Sequence, residues 1–174
     1  MNPTRFIESL LSFEEAMLLA CQLLLNDEMN EILREYGVSL IEQNRQVHPK
    51  EWGEDWRNEV FLGDAYYLMM KYDKQYEAYT RASTNLSPLP PALLVSLAGC
   101  YLSSDSFLTI DDAEKLLLEA LEKEETIEAV TLVRGIYKTK NDANKFSYWD
   151  KIFHELENSD AFMKDKWPKF LDCE

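Results

Sequence analysis

Apolar side chains recur along this chain in steps of three and four with polar residues between them, a period that predicts amphipathic helices almost throughout. Pro3 to Leu11 forms a short helix with Phe6, Ile7, Leu10 and Leu11 on one side, read as a lid. Ser12-Phe13-Glu14-Glu15 has the form of a capping box, so a second helix starts there and continues through Ala16, Leu19, Ala20, Leu23 and Leu24. A third, about Glu28 to Asn44, carries Met29, Ile32, Leu33, Tyr36, Leu40 and Ile41 on one face, with Gly37 either a tolerated weak point or a break. Arg45 to Glu54 reads as an irregular connection. Helical pattern resumes from about Asp55 to Tyr72 and from Lys74 to Asn85, and stops before Ser87-Pro88-Leu89-Pro90-Pro91. Further helices follow at about Ala92 to Leu102, from a cap at Asp111 or Asp112 through Leu121, at Ile127 to Thr139 and at Asp142 to Glu157. A short last segment carries Phe162, Met163, Trp167 and Phe170. The total is eight or nine helices and no strand.

Composition agrees with that pattern. The 174 residues suffice for one self-sustaining domain, and 46% hydrophobic residues with five glycines and six prolines describe a helix-rich globular chain. The longest apolar run, Ala16 to Leu25, falls short of the ~20 residues a bilayer demands, and the first residues show no export-signal pattern. Cys21, Cys100 and Cys173 are widely separated and odd in number, which suits reduced thiols and a cytoplasmic location. Lysine and arginine total 18 against 32 acidic residues, a net charge of -14, so nucleic acid and anionic membrane surfaces are disfavoured partners.

Gly63 lies 35 residues before Ala98, and Ala98 lies 35 before Val133. Each is preceded by leucine (Leu62, Leu97, Leu132) and followed three positions later by Tyr66, Tyr101 or Ile136. A small residue lets the first helix of a pair approach the second, and the bulky residue one turn on fills the space beside that contact. With Tyr79, Ala82 and Pro88, the stretch from Trp56 resembles the tetratricopeptide repeat, although Gln75 stands where a small residue is expected. The second unit keeps Leu97-Ala98, Tyr101, Ala113, Leu117 and Ala120 with a lengthened turn. The third keeps Leu132, Ile136 and Trp149, with Lys145 and Ile152 at small positions.

The resemblance implies an all-α, right-handed α-α superhelix of tetratricopeptide-like hairpins in a single domain spanning 1–174. Residues 1–47 are then N-terminal helices or a degenerate first repeat, 48–54 a loop, 55–159 three units and 160–174 a C-terminal cap. It also implies a concave groove that binds peptides or helices. Counted from the match, Arg57, Val60, Asp64, Tyr67 and Leu68 face that groove from the first unit, Val95, Gly99 and Leu102 from the second, and Val130, Arg134, Tyr137 and Lys138 from the third. Tyr67 and Tyr137 are either rigid anchors for a ligand or covered by the N-terminal helices. The lysine and asparagine positions with which some such domains capture a chaperone's terminal carboxylate hold Val60, Asp64, Val95, Gly99 and Val130, so that activity is not expected.

Catalytic signatures are not found. His48 and His154 have no partner at a ligand spacing, and Glu14-Glu15, Asp111-Asp112 and Glu124-Glu125 are paired carboxylates explained by helix ends and solvation. No catalytic residue, metal site or cofactor is therefore expected. The leading expectation is a non-catalytic adaptor or chaperone that takes a basic or amphipathic peptide or helix in its groove. The alternative is an acidic inhibitor of the immunity-protein or antitoxin type, covering a basic partner surface through Glu119, Glu122, Glu124, Glu125 and Glu128. An enzyme using His48 or His154 comes third. Trp56, Trp149 and Trp167 read as packing residues, and Trp52, in the connection, as a functional candidate.

Overall fold

The computed structural model describes residues 11–25, 30–102 and 108–157. These contain nine α-helices, one short 3-10 helix and no strand. The order is α1 (Phe13–Leu24), α2 (Glu31–Val47), α3 (Pro49–Gly53), α4 (Arg57–Leu68), α5 (Tyr72–Ser83), α6 (Pro91–Gly99), the 3-10 turn Cys100–Leu102, α7 (Ile110–Lys123), α8 (Ile127–Thr139) and α9 (Ala143–Glu157). The lid helix from Pro3 and the segment carrying Phe162 to Phe170 lie outside the described residues, as do Met29 and Cys173. No described helix is long and apolar enough to cross a membrane.

Contacts divide the chain into two compact units, one ending at Ala82 and the next beginning at Ser83. In the first, α1 and α2 form an antiparallel hairpin. Ser12 accepts from Glu15 N at 3.2 Å while the Glu15 carboxylate accepts from Ser12 N at 2.8 Å, the reciprocal cap expected from these residues. Asn44, buried, donates from Nδ2 to the Phe13 carbonyl at 3.0 Å and ties the start of α1 to α2. Met17, Ala20 and Leu24 pack on Val38, Leu40 and Ile41, and the same core takes in Trp52, Phe61, Leu62, Ala65 and Ala78.

Several boundaries differ from the sequence reading, each for a local reason. The second hairpin helix starts at Glu31 because Asn30 caps it, its side chain accepting from Ile32 N and Leu33 N. Ile32, at 75% exposed, stands outside the core that its spacing suggested. Gly37 interrupts nothing: a Cβ there would lie 3.1 Å from the Ala20 carbonyl oxygen and 3.2 Å from Leu24 Cγ, so glycine marks the close crossing of α1 and α2. The expected 48–54 loop is corrected to a short helix, since Pro49 sits at its first turn, where the missing N–H costs nothing, and Trp52 N donates to the His48 carbonyl at 2.9 Å.

In the second unit, α6, α7, α8 and α9 pack each on the next in sequence order. Its core joins Leu94, Val95 and Ala98 to Ala113, Leu117 and Ala120 and to Ala129, Val133, Ile136 and Tyr137. Thr109, one residue before the helix, caps α7 in a reciprocal pair with Asp112, where Asp111 or Asp112 was expected to cap it. Cys21 and Cys100 are buried free thiols, and burial pushes the Cys21 thiol up from its ordinary value.

Candidate functional site

Three helices of the first unit line a cleft. Glu42, Arg45 and Gln46 fall within one turn of α2, Pro49 and Trp52 come from α3, and Tyr66 comes from α4. The open concavity between them holds about 580 Å³ within the first unit. Behind the cleft wall, Glu59 of α4 is a buried carboxylate with two hydrogen-bond donors and a third, ion-paired arginine, from three helices. Trp52 Nε1 donates to its Oε1 at 3.0 Å, Arg45 Nε lies 2.9 Å from the same oxygen, and Arg81 Nε donates to Oε2 at 3.1 Å. Asn58 Nδ2 donates to the Trp52 carbonyl at 3.1 Å and holds α3 in place over α4. The indole is packed edge-on against Phe13 at a centroid distance of 6.4 Å.

On the other wall, Tyr66 Oη donates to Glu42 Oε1 at 2.5 Å, and Lys74 Nζ donates to the same oxygen at 3.1 Å while lying over the Tyr66 ring. Burial would raise the Glu42 carboxyl, but these two donors outweigh it and hold it below the ordinary carboxylate value. Burial, followed by the bond to Glu42, pushes the Tyr66 phenol well above its usual range. The cleft thus places two mostly buried aromatic side chains beside a guanidinium that is ion-paired to a buried carboxylate.

The residues expected to line a groove have divergent surroundings. Val60, Val95 and Tyr137 are buried, as is Val130, which corrects their assignment as an accessible lining. The reason is packing: Val95 and Tyr137 belong to the second core, and Tyr137 turns toward α7, donating to Glu114 Oε1 at 2.6 Å beneath Lys145. Arg57 folds back on Asp55 at the start of α4, Asp64 accepts from Tyr79 Oη at 2.5 Å, and Leu68 is packed against the first core. Arg134 pairs with Asp150 at 3.0 Å and lies over the Phe153 ring. Gly99 is half-buried. Tyr67 and Leu102 remain in water at 57% and 64% exposed, and Lys138 is also exposed.

Of the acidic set, Glu122, Glu124 and Glu125 are exposed at the α7–α8 turn, Glu128 is half-buried, and Glu119 is 2.8 Å from Lys123. His48 ends α2 and meets the Phe13 ring, and exposed His154 lies between Asp150 and Glu157 on α9. Among the described residues, no three His, Cys, Asp or Glu side chains gather as a metal-binding set. Trp52 is buried, so its part in the cleft is as floor and as donor to Glu59. Glu42, Arg45, Glu59 and Arg81 were not anticipated; their contacts span 22 to 32 positions where they join Arg81 to Glu59 and Lys74 to Glu42. One signal did exist: Glu59, Gly63 and Tyr66 share a helix face at steps of four and three, and a charge on so closely packed a face needs a buried partner.

No protein-family model matches this chain, and comparison with curated proteins finds no significant match.

Proposed function

We propose that this chain is a non-catalytic interaction module of tetratricopeptide-like helix pairs that holds a peptide or helix of a partner protein. The observation that carries the reading is the contact at Gly63, where a Cβ would fall 2.3 Å from the Tyr79 ring, as the spacing of such a repeat demands. Ala98, 35 positions on, is fully buried with Ala113 and Leu117 of the following helix. The contact surface we assign is the end of α4, where Tyr67 and Met70 are exposed and the Tyr67 and Tyr72 rings lie 6.2 Å apart. Met70 adopts φ 54°, a left-handed conformation costing a side chain about 1 kcal/mol that asparagine or glycine tolerates better. A bulky apolar residue kept there in water supports a role in contact.

Affinity capture from a native extract, with wild type and with Tyr67→Ser plus Met70→Ser, tests the assignment. The double variant should lose a partner identified by mass spectrometry. Capture of the same proteins by both would refute it. The acidic-inhibitor reading draws on exposed Glu122, Glu124 and Glu125. It predicts instead that the double variant binds normally and that binding falls steeply with salt.

A further inference from the structure

We infer that the exposed surface at the α4–α5 turn pairs with the same surface of a second copy of this chain about a two-fold axis; the inference rests on the assignment of that surface to contact. Each unit builds this junction once. Tyr66 donates to Glu42 beneath Lys74, and Tyr137, 71 positions on, donates to Glu114 beneath Lys145, itself 71 positions after Lys74. The backbone repeats as well: Lys71 N donates to the Tyr66 carbonyl at 2.9 Å after Met70 at φ 54°, and Asp142 N donates to the Tyr137 carbonyl at 3.0 Å after Asn141 at φ 55°. In the second unit the turn holds Lys138, Asn141 and Asp142, and Asp142 Oδ1 accepts from Lys145 N at 3.1 Å, an ordinary cap for α9. The first unit has Tyr67, Met70 and Lys71 at the same places, with Tyr67 57% and Met70 76% exposed. The turn itself therefore requires neither the apolar pair nor the lysine, whose ammonium has no acceptor with which to cap α5.

Charge selects the partner. Around the patch Lys74 is paired with Glu42, Asp64 accepts from the Tyr79 hydroxyl, and Glu77 lies 3.8 Å from Arg81. Lys71 and Asp73 remain, both exposed and both without a bonded side-chain partner among the described residues; Lys71 lies within the electrostatic reach of Glu42 but makes no bond to it. They flank Tyr72 two positions apart, a spacing at which side chains do not face each other. An acidic ligand would suit Lys71 and oppose Asp73, and a basic ligand would do the reverse. In a two-fold interface residue i meets j and j meets i, so a second copy brings Asp73 to Lys71 and Lys71 to Asp73 together and lays the apolar residues of both copies against each other.

Sedimentation equilibrium of the full chain at ~0.05 M and ~0.5 M NaCl, either side of physiological ionic strength, tests the dimer. Two copies of net charge -14 repel each other, and salt screens that repulsion while leaving apolar contact intact, so association should tighten at the higher salt. Met70→Asn installs the residue of the second unit's turn, which suits a left-handed backbone, so the variant should fold at least as well as wild type. It should weaken association by about tenfold, as loss of a central apolar contact does. Lys71→Asp should weaken association at low salt, and Lys71→Asp plus Asp73→Lys should recover it. A chain monomeric at both salt concentrations, a dimer that Met70→Asn leaves intact, or a double exchange that fails to recover the loss would overturn the assignment. If the wild-type chain stays monomeric while Tyr67→Ser plus Met70→Ser still loses a captured protein, the second copy is refuted and the contact reading stands.

Discussion

Alanine at position 63 adds one methyl group where the Tyr79 ring of α5 lies against α4. Its Cβ would lie 2.3 Å from Tyr79 Cε1 and 2.6 Å from Cδ1, while ordinary contact begins at 3.4 Å, so the ring must retreat by 1.1 Å (3.4 − 2.3). Tyr79 has little freedom to do so: it is 2% exposed, donates to Asp64 at 2.5 Å and accepts from Gln75 Nε2 at 3.3 Å. Overpacking of a filled core costs roughly 1–3 kcal/mol, and a rigid ring held at its far end belongs at the upper end. Alanine regains about 1 kcal/mol of helix propensity over glycine. The net expectation for Gly63→Ala is a loss of about 2 kcal/mol, a fall in Tm of roughly 4–8 °C for a chain of this size. Urea and thermal unfolding followed by circular dichroism measure it. In the Tyr79→Leu background, where the ring is gone, the alanine penalty should shrink by at least about 1 kcal/mol, a coupling read from the double-mutant cycle. If Gly63→Ala is as stable as wild type, or if the cycle is additive, the close approach of these helices is not real.

The same substitution should act in the opposite direction at Gly135, inside α8, where an added Cβ meets nothing within 4 Å: Gly135→Ala should raise stability by about 0.5–1 kcal/mol in the same unfolding assay. Glu59→Ala strands two arginines and an indole N–H; breaking a buried pair costs roughly 3–5 kcal/mol, and with the arginine side chains 37% and 34% exposed we expect about 2 kcal/mol by urea denaturation. Tyr66 and Tyr137 have phenol values raised first by burial and then by their carboxylate partners. Their contribution is complete below the ordinary phenol value near 10.0 and is lost as pH rises beyond it, so stability should fall above that pH, and less so in Tyr66→Phe. Glu42 and Glu114 are lowered, so their contribution is present above the ordinary carboxyl value of 4.5 and is lost as pH falls below it, which an acid titration of stability measures.

Features set by neighbours in sequence were legible in it. The Ser12–Glu15 cap, the proline stop after α5 and the burial of Gly63 and Ala98 follow from short-range patterns and appear in the structure. Period alone misled where two faces compete. Ile32 and Leu33 fit the apolar stripe of α2, but they fall in its first turn, beyond the region that α1 covers, and both are exposed. Thr109 preceded the expected cap of α7, Asp111 or Asp112, by two or three residues because an aspartate can serve as cap or as the reciprocal partner in the third position. The cleft was hidden for a different reason. Arg45 was read as loop, and its partner Glu59 lies on another helix, so no local window contains both.

Tyr137 shows why an acidic chain is hard to read for binding anchors. Three cross-helix contacts pair a tyrosine hydroxyl with a carboxylate: Tyr66 with Glu42, Tyr79 with Asp64 and Tyr137 with Glu114, at 2.5, 2.5 and 2.6 Å. At two of these contacts the phenol acts beside cations: Lys74 also donates to Glu42, and Lys140 and Lys145 pair with Glu114. A phenol satisfies such a carboxylate by a charge-assisted bond, without changing net charge and without the desolvation cost of a second buried ion. Its ring also supplies the bulk that fills the junction. An aromatic residue at a groove-like position is therefore ambiguous in this composition, and what separates the two roles is the presence of a carboxylate on the facing helix. Tyr137 has Glu114 and is core, whereas Tyr67, 57% exposed and beside Met70, keeps its ring at the surface where a partner can reach it.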